Sequence, residues 1–213
     1  MKIEVFTFNP VQENTFVIYD ETNGECAIID PGCFNNSEFE QLTGFLSAYD
    51  LKPVKLINTH GHFDHIFGVE RCRKAFDLKW EAHPGDAFWV ENAPAKGALF
   101  GIKIDPVHPA EISLQHNDEI KIGNSTLKVI HVPGHSPGSI CLYNEEDKTL
   151  IAGDVLFRGS IGRTDLEQGS HETLISEIKS KLLVLPNDVV VYPGHGPKTT
   201  IGYEKVNNPY LQD

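Results

Sequence analysis

The segment Thr59-His60-Gly61-His62-Phe63-Asp64-His65 decides how the rest of the chain is read. His60, His62, Asp64 and His65 are all side chains that ligate metals, and they crowd into one short stretch. They follow Val54-Lys55-Leu56-Ile57, a run that predicts a short buried strand. His60 and His62 stand two apart, so in extended chain both rings leave the same side and can grip one ion. Gly61 between them permits a tight backbone. Asp64 and His65 come where the chain enters a helix predicted over 66–76, so they point elsewhere and can hold a second ion.

Working outward, three later predicted strands end in Gly followed by a ligand-type side chain. Strand 127–132 leads to Gly134-His135, strand 149–152 to Gly153-Asp154, and strand 189–192 to Gly194-His195. Ligand-bearing loops at one end of a sheet are where α/β proteins place their sites. Val129-Ile130-His131-Val132-Pro133-Gly134-His135 echoes Val189-Val190-Val191-Tyr192-Pro193-Gly194-His195, as the two halves of a duplicated fold would. Further strands are predicted at 3–8, 15–19, 26–29, 78–82 and 140–143. Helices are predicted at 37–48, with Ser37 as cap, and at 172–183 and 199–206. Strands and helices alternate over the whole length, which predicts the α/β class. Residues 92–118, rich in Gly, Ala and Pro, read as a long connection.

The chain has 213 residues, enough for one sizeable core. Lys+Arg 18 against Asp+Glu 30 gives a net charge of −12, a field that repels phosphate backbones and argues against a nucleic-acid partner. No stretch approaches the roughly 18–20 apolar residues of a membrane span. The opening Met1-Lys2-Ile3-Glu4-Val5-Phe6 alternates like a strand, unlike a signal peptide. The cysteines, Cys26, Cys33, Cys72 and Cys141, form no Cys-x-x-Cys pair and read as reduced thiols, so a cytoplasmic location is expected. Ten His against one Met marks a chain whose histidines carry the chemistry.

His60-x-His62-x-Asp64-His65, followed in order by His135, Asp154 and His195, resembles the metallo-β-lactamase superfamily pattern, with Asp30 at the position of its first motif. Phe157-Arg158-Gly159-Ser160-Ile161-Gly162-Arg163-Thr164-Asp165 and Asn208-Pro209-Tyr210-Leu211 are similar to small bacterial relatives of type II glyoxalase, or hydroxyacylglutathione hydrolase. The resemblance implies an αββα sandwich, two mixed β-sheets flanked by helices, as a single domain over 1–213. It implies that His60, His62 and His135 hold one metal, that Asp64, His65 and His195 hold the other, and that Asp154 bridges. Asp30 would orient ligands without binding metal. Imidazoles and carboxylates suit zinc, with iron or manganese possible. A water shared by two such ions has its pKa lowered to about 7 and attacks a carbonyl carbon. A thioester fits, because its leaving thiolate, with a pKa of about 8.5, departs with little help from a general acid, and an ester is the other acyl substrate considered. Asp64 and Asp154 are then the catalytic carboxylates, and Arg163 and Lys198 are candidate contacts to a small-molecule substrate.

Two relatives within the resemblance remain alternatives: a mononuclear iron persulfide dioxygenase using His60, His135 and Asp154, and a lactone or β-lactam hydrolase. A non-catalytic metal-binding scaffold is a third. Full-length type II glyoxalases carry a C-terminal helical domain that helps bind glutathione. Here 213 − 195 = 18 residues follow His195, so that domain is not expected and a different thioester or ester becomes plausible. Gly134-His135-Ser136-Pro137-Gly138 matches a serine-hydrolase nucleophile elbow. That elbow needs a backbone N–H after the serine, which Pro137 lacks. His83, His108, His116, His131 and His171 read as turn, surface or capping residues.

Overall fold

Successive residues of the central strands enter different cores. Phe16, Ile18, Ala27, Ile29 and Ile57 face Leu127, Val129, Ile140, Leu142 and Ile151 in one apolar layer. Their neighbours Val17, Ile28 and Leu56 point the other way, into a second core. Cys141, Leu150 and Ala152 point into a third. Strands buried on both faces need apolar residues at every position, which is why these runs are nearly unbroken.

This computed structural model describes residues 1–212. The first sheet runs in the order β1 (Lys2–Phe8), β2 (Glu13–Tyr19), β3 (Glu25–Ile29), β4 (Lys52–Ile57), β5 (Trp80–Ala82) and β6 (Ile112–Ser113). Pairing is antiparallel from β1 to β3 and parallel from β3 to β6. The second sheet comprises β7 (Glu119–Ile122), β8 (Ser125–His131), β9 (Ile140–Asn144), β10 (Thr149–Gly153), β13 (Val190–Pro193) and β14 (Thr199–Thr200), in that spatial order. Only its β10–β13 pair is parallel. A small hairpin joins β11 (Leu156–Phe157) to β12 (Ser160–Ile161). Helices α1 (Asn36–Ala48), α3 (Val69–Phe76) and α4 (Ala87–Leu99) cover the first sheet through Leu42, Cys72 and Val90. Helices α5 (His171–Glu177) and α6 (Ile201–Asn207) cover the second through Leu174 and Ile201. The result is the expected α/β sandwich of two mixed sheets between helices.

Several local expectations change. The helix predicted over 66–76 is two pieces, α2 (Phe63–Ile66) and α3, separated at Phe67-Gly68, where Gly68 N donates to Pro31 O. Helix α1 is capped by Asn35, whose side chain accepts from Glu38 N, so Ser37 lies inside it. The supposed connection over 92–118 begins inside α4. Of its buried residues Trp89, Val90, Ala93 and Gly97, the two beyond position 92 are small, and Pro94 sits in the helix interior. Both features masked the helical period. Strand β7, Glu119–Ile122, lies beyond the expected connection as an additional strand. The helix predicted at 172–183 is α5 followed by a π-helical turn over Ile178–Leu182. Its cap is Ser170, whose hydroxyl accepts from Thr173 N, so His171 is the first helical residue and not the cap. The four cysteines are free and buried. No helix among the described residues is long and apolar enough to cross a membrane.

Candidate metal centre

Five loops leave strand ends on one edge of the sandwich and converge. They follow β3 (Asp30), β4 (Thr59 to His65), β8 (His135), β10 (Asp154) and β13 (His195). His60, His62 and His135 place one ligand atom each within 4.8 Å of one another, and so do Asp64, His65 and His195. Asp154 lies between the two groups. Its Oδ1 is 3.5 Å from His65 Nε2. Its Oδ2 is 3.6 Å from His135 Nε2 and 3.6 Å from His195 Nε2. Asp64 Oδ2 is 3.2 Å from His195 Nε2 and 3.7 Å from His65 Nε2.

Hydrogen bonds fix the tautomers. Thr59 Oγ1 donates to Asp30 Oδ2 at 2.6 Å, so it accepts from His60 Nδ1 at 3.1 Å. His65 Nδ1 donates to Asp30 Oδ2 at 3.1 Å, and His135 Nδ1 to the Arg163 carbonyl at 2.8 Å. His195 Nδ1 lies between the carbonyls of Val11 and Gln12, at 3.2 and 3.1 Å. With each Nδ1 carrying the proton, each Nε2 presents a lone pair to the centre. His62 is held differently: the Trp89 indole packs edge-on against its ring at 4.4 Å.

The centre fits a metal on three counts. His62 Nε2, His65 Nε2 and Asp154 Oδ1 are buried with no hydrogen-bond partner among the described residues, and an unsatisfied buried polar atom costs about 1–3 kcal/mol. His60 Nε2 and His135 Nε2 stand 3.3 Å apart, two acceptors aimed at one another. The donors are imidazole nitrogens and carboxylate oxygens, the set that divalent first-row metals take. Electrostatics agree. Burial, reinforced by the neighbouring imidazoles, holds His60 well below the usual histidine range and His62 down at about 3, so both stay neutral and able to ligate. Burial alone would raise Asp154, but the imidazoles of His65, His135 and His195 outweigh it and keep the carboxylate ionised. Burial would lower His65, yet Asp64 and Asp154 raise it well above the ordinary value. A field that draws a proton to His65 favours a cation at the same point.

Asp30 is fully buried, and its Oδ1 accepts from Thr59 N at 2.7 Å and Asn58 Nδ2 at 3.1 Å. Both oxygens are thereby engaged in orienting the ligand loop. Two further residues carry the site and were not singled out in the sequence. Asp86 Oδ2 accepts from Gly61 N and Ser136 Oγ, and its Oδ1 from Gly138 N, so it ties the His60–His62 loop to the His135 loop. Ser136 is thus fully buried and bonded to a carboxylate, as the rejection of the nucleophile elbow requires. Glu13 is fully buried behind His65, with Oε1 3.8 Å from His65 Nδ1, and burial raises it well above the carboxylate range. Neither residue lies in a motif. Glu13 opens an apolar strand, Asp86 follows Pro84-Gly85 in a loop, and neither position marks the residue as part of the site.

The centre opens into a cavity of about 620 Å³ lined by His62, Asp64, His135, Asp154, His195 and Arg163. Arg163 is at its rim, with Nε and Nη2 bonded to Asp165 at 2.8 and 2.9 Å. Lys198 is not in this cavity. It lines a separate groove with Ile3, Asn14 and Tyr192. The His83 and His131 rings stack with centroids 4.0 Å apart, and His108 pairs with Glu70.

The two-sheet sandwich with a His/Asp centre at its edge defines a class of metal-binding α/β protein. Residues 8–195 match the metallo-beta-lactamase superfamily, and the chain belongs to it. Among curated relatives, the chain is 38% identical over 213 residues to the hydroxyacylglutathione hydrolase GloC of Haemophilus influenzae, covering 99% of this chain and 98% of that one. It is 36% identical to the probable metallo-hydrolase YqgX of Bacillus subtilis, with 99% and 98% covered. Among solved structures, BLEG-1 B3 metallo-beta-lactamase superposes with a TM-score of 0.91 at 39% identity, covering 100% of both chains. TTHA1623, crystallised in a di-iron-bound form, superposes with a TM-score of 0.87 at 36% identity, covering 98% of this chain and 100% of that one. The chain is therefore a metallo-hydrolase of this superfamily, with His/Asp metal-binding clusters.

Proposed function

We propose that the protein hydrolyses a small thioester or ester at a two-metal centre, with His60, His62 and His135 holding one ion and Asp64, His65 and His195 the other. The observation that carries this reading is the Asp154 carboxylate, which faces His65 with one oxygen and His135 and His195 with the other. One carboxylate reaching both triads is what a shared pair of ions requires. When bound, two divalent ions supply a water of lowered pKa and positive charge for the oxyanion that develops at the carbonyl. Zinc is the first expectation from the donors, and iron or manganese is compatible; TTHA1623 is described as di-iron-bound.

The chain's own residues do the rest. Asp30, through Thr59 and His65, keeps the first loop's imidazoles aimed inward. Asp64 and Asp154 stay ionised, so charge at the centre is balanced without a proton on either. Arg163 positions His135 through its carbonyl. In the net reaction a water oxygen bonds to the acyl carbon, the C–S or ester C–O bond breaks, and the leaving thiol or alcohol takes up one proton. A thiolate leaves unaided because a thiol pKa is about 8.5.

Elemental analysis with turnover of Asp154→Ala tests the reading. The expected result is two ions per wild-type chain, fewer in the variant, and thioester turnover reduced at least 1000-fold with the fold retained. Wild-type rates in the variant, or one iron per chain with oxygen uptake on glutathione persulfide, would sink it. A second reading, β-lactam hydrolysis, is favoured by the likeness to BLEG-1. A chromogenic cephalosporin compared with a thioester under the same conditions separates the two.

A further inference from the structure

The wall opposite the metal ligands is apolar, although it opens to solvent. Val11, Phe63, Trp89, Leu99, Phe100 and Ile102 line the same cavity as His62, Asp64 and Asp154. Leu99 is 79% exposed and Phe100 65% exposed, at the carboxyl end of α4, and Val11 is 45% exposed. The Phe63 and Phe100 rings lie 5.5 Å apart and make this wall continuous with the ligand loop, because Phe63 directly precedes Asp64. Large apolar side chains left in water beside a reactive centre favour whatever apolar group covers them.

The lysine and arginine that line the cavity are already neutralised. Lys96 pairs with Glu167 and lies over the Trp89 ring at 5.3 Å. Arg163 spends its fork on Asp165. A strongly anionic substrate half would meet cations whose charge is already balanced, whereas an apolar group need only displace water.

We infer that the centre selects substrates by an uncharged, apolar acyl group laid along Phe63, Leu99 and Phe100, and that the thiol or alcohol half contributes little to recognition. This rests on the hydrolase reading and specifies its substrate class. A buried methylene is worth about fourfold in transition-state binding, and a half-covered one about twofold. The metal-replete protein is assayed with acyl thioesters of N-acetylcysteamine from acetyl to octanoyl, and with S-lactoylglutathione. Expected is a rise in kcat/KM of at least tenfold from acetyl to hexanoyl, with S-lactoylglutathione at least tenfold below hexanoyl. The Leu99→Ser/Phe100→Ser double variant, changed only at exposed positions, is expected to reduce the hexanoyl-to-acetyl ratio to threefold or less, with metal content and Tm measured alongside. A flat or falling series, or an unchanged ratio in the double variant, overturns the apolar-acyl inference while leaving the hydrolase reading intact. No thiol release from any compound overturns the hydrolase reading, and this inference with it.

Discussion

At the scale of single residues, the centre is built on close approach. Gly153 has φ +49, and a Cβ there would meet Thr59 Oγ1 at 2.3 Å. Gly194 has an ordinary φ, but a Cβ would fall 2.2 Å from Asp154 Oδ1 and 2.7 Å from His65 Cε1. The strand-Gly-ligand pattern therefore has a steric cause: a Cβ would strike Leu174 at Gly134, Thr59 at Gly153 and the Asp154 carboxylate at Gly194. Gly194→Ala is expected to displace Asp154, lowering metal retention against a chelator and reducing turnover at least 100-fold. Retention and rates within threefold of wild type would contradict this. The ligand side chains were legible because each chemistry-bearing residue sat in a short motif. Asp86 and Glu13 were not, since what they touch is set by parts of the chain far away in sequence.

At the scale of elements, α4 is where the sequence misled. Pro94 lacks an N–H for the helix and Gly97 lowers propensity, so 92–118 read as irregular. Tertiary packing overrides this, because Val90 and Ala93 bury in the core beneath the first sheet and Trp89 packs against His62. A proline in a helix interior costs about 3 kcal/mol relative to alanine, measured against the unfolded chain. Pro94→Ala is thus expected to raise stability by up to about 3 kcal/mol, seen as a higher denaturant midpoint at unchanged slope. An unchanged or lower midpoint would mean that proline shapes the cavity wall at that helix. The break between α2 and α3 has a clearer cause. The chain must turn after the ligand loop, and Gly68 N takes the Pro31 carbonyl as it does so.

At the scale of the whole molecule, the two sheets are joined by their shared apolar layer and by a polar clamp. Asp20, just after β2, accepts from Thr22 N and Oγ1 and from Asn124 N and Nδ2 in the β7–β8 turn. These hydrogen bonds, Thr22 first, lower its pKa from 3.8 to about 2. A carboxylate with a depressed folded pKa adds stability that is complete above its unfolded value and is lost as pH falls through the folded one. The Tm gap between wild type and Asp20→Asn is therefore expected to be constant above about pH 5 and to close between about pH 4 and pH 2. A gap independent of pH would remove the clamp's charge from the account.

The sequence by itself determined the α/β class, most of the central strands, and which His and Asp side chains are candidates to hold a metal. These follow from local rules: period, turn residues and the chemistry of His and Asp. Only the tertiary structure decided that Asp86 and Glu13 brace the two triads, that Lys198 faces another groove, and that α4 supplies an apolar wall to the cavity. Those facts depend on which strand ends share an edge. That is fixed by packing two sheets face to face, a long-range event that no window of the chain encodes.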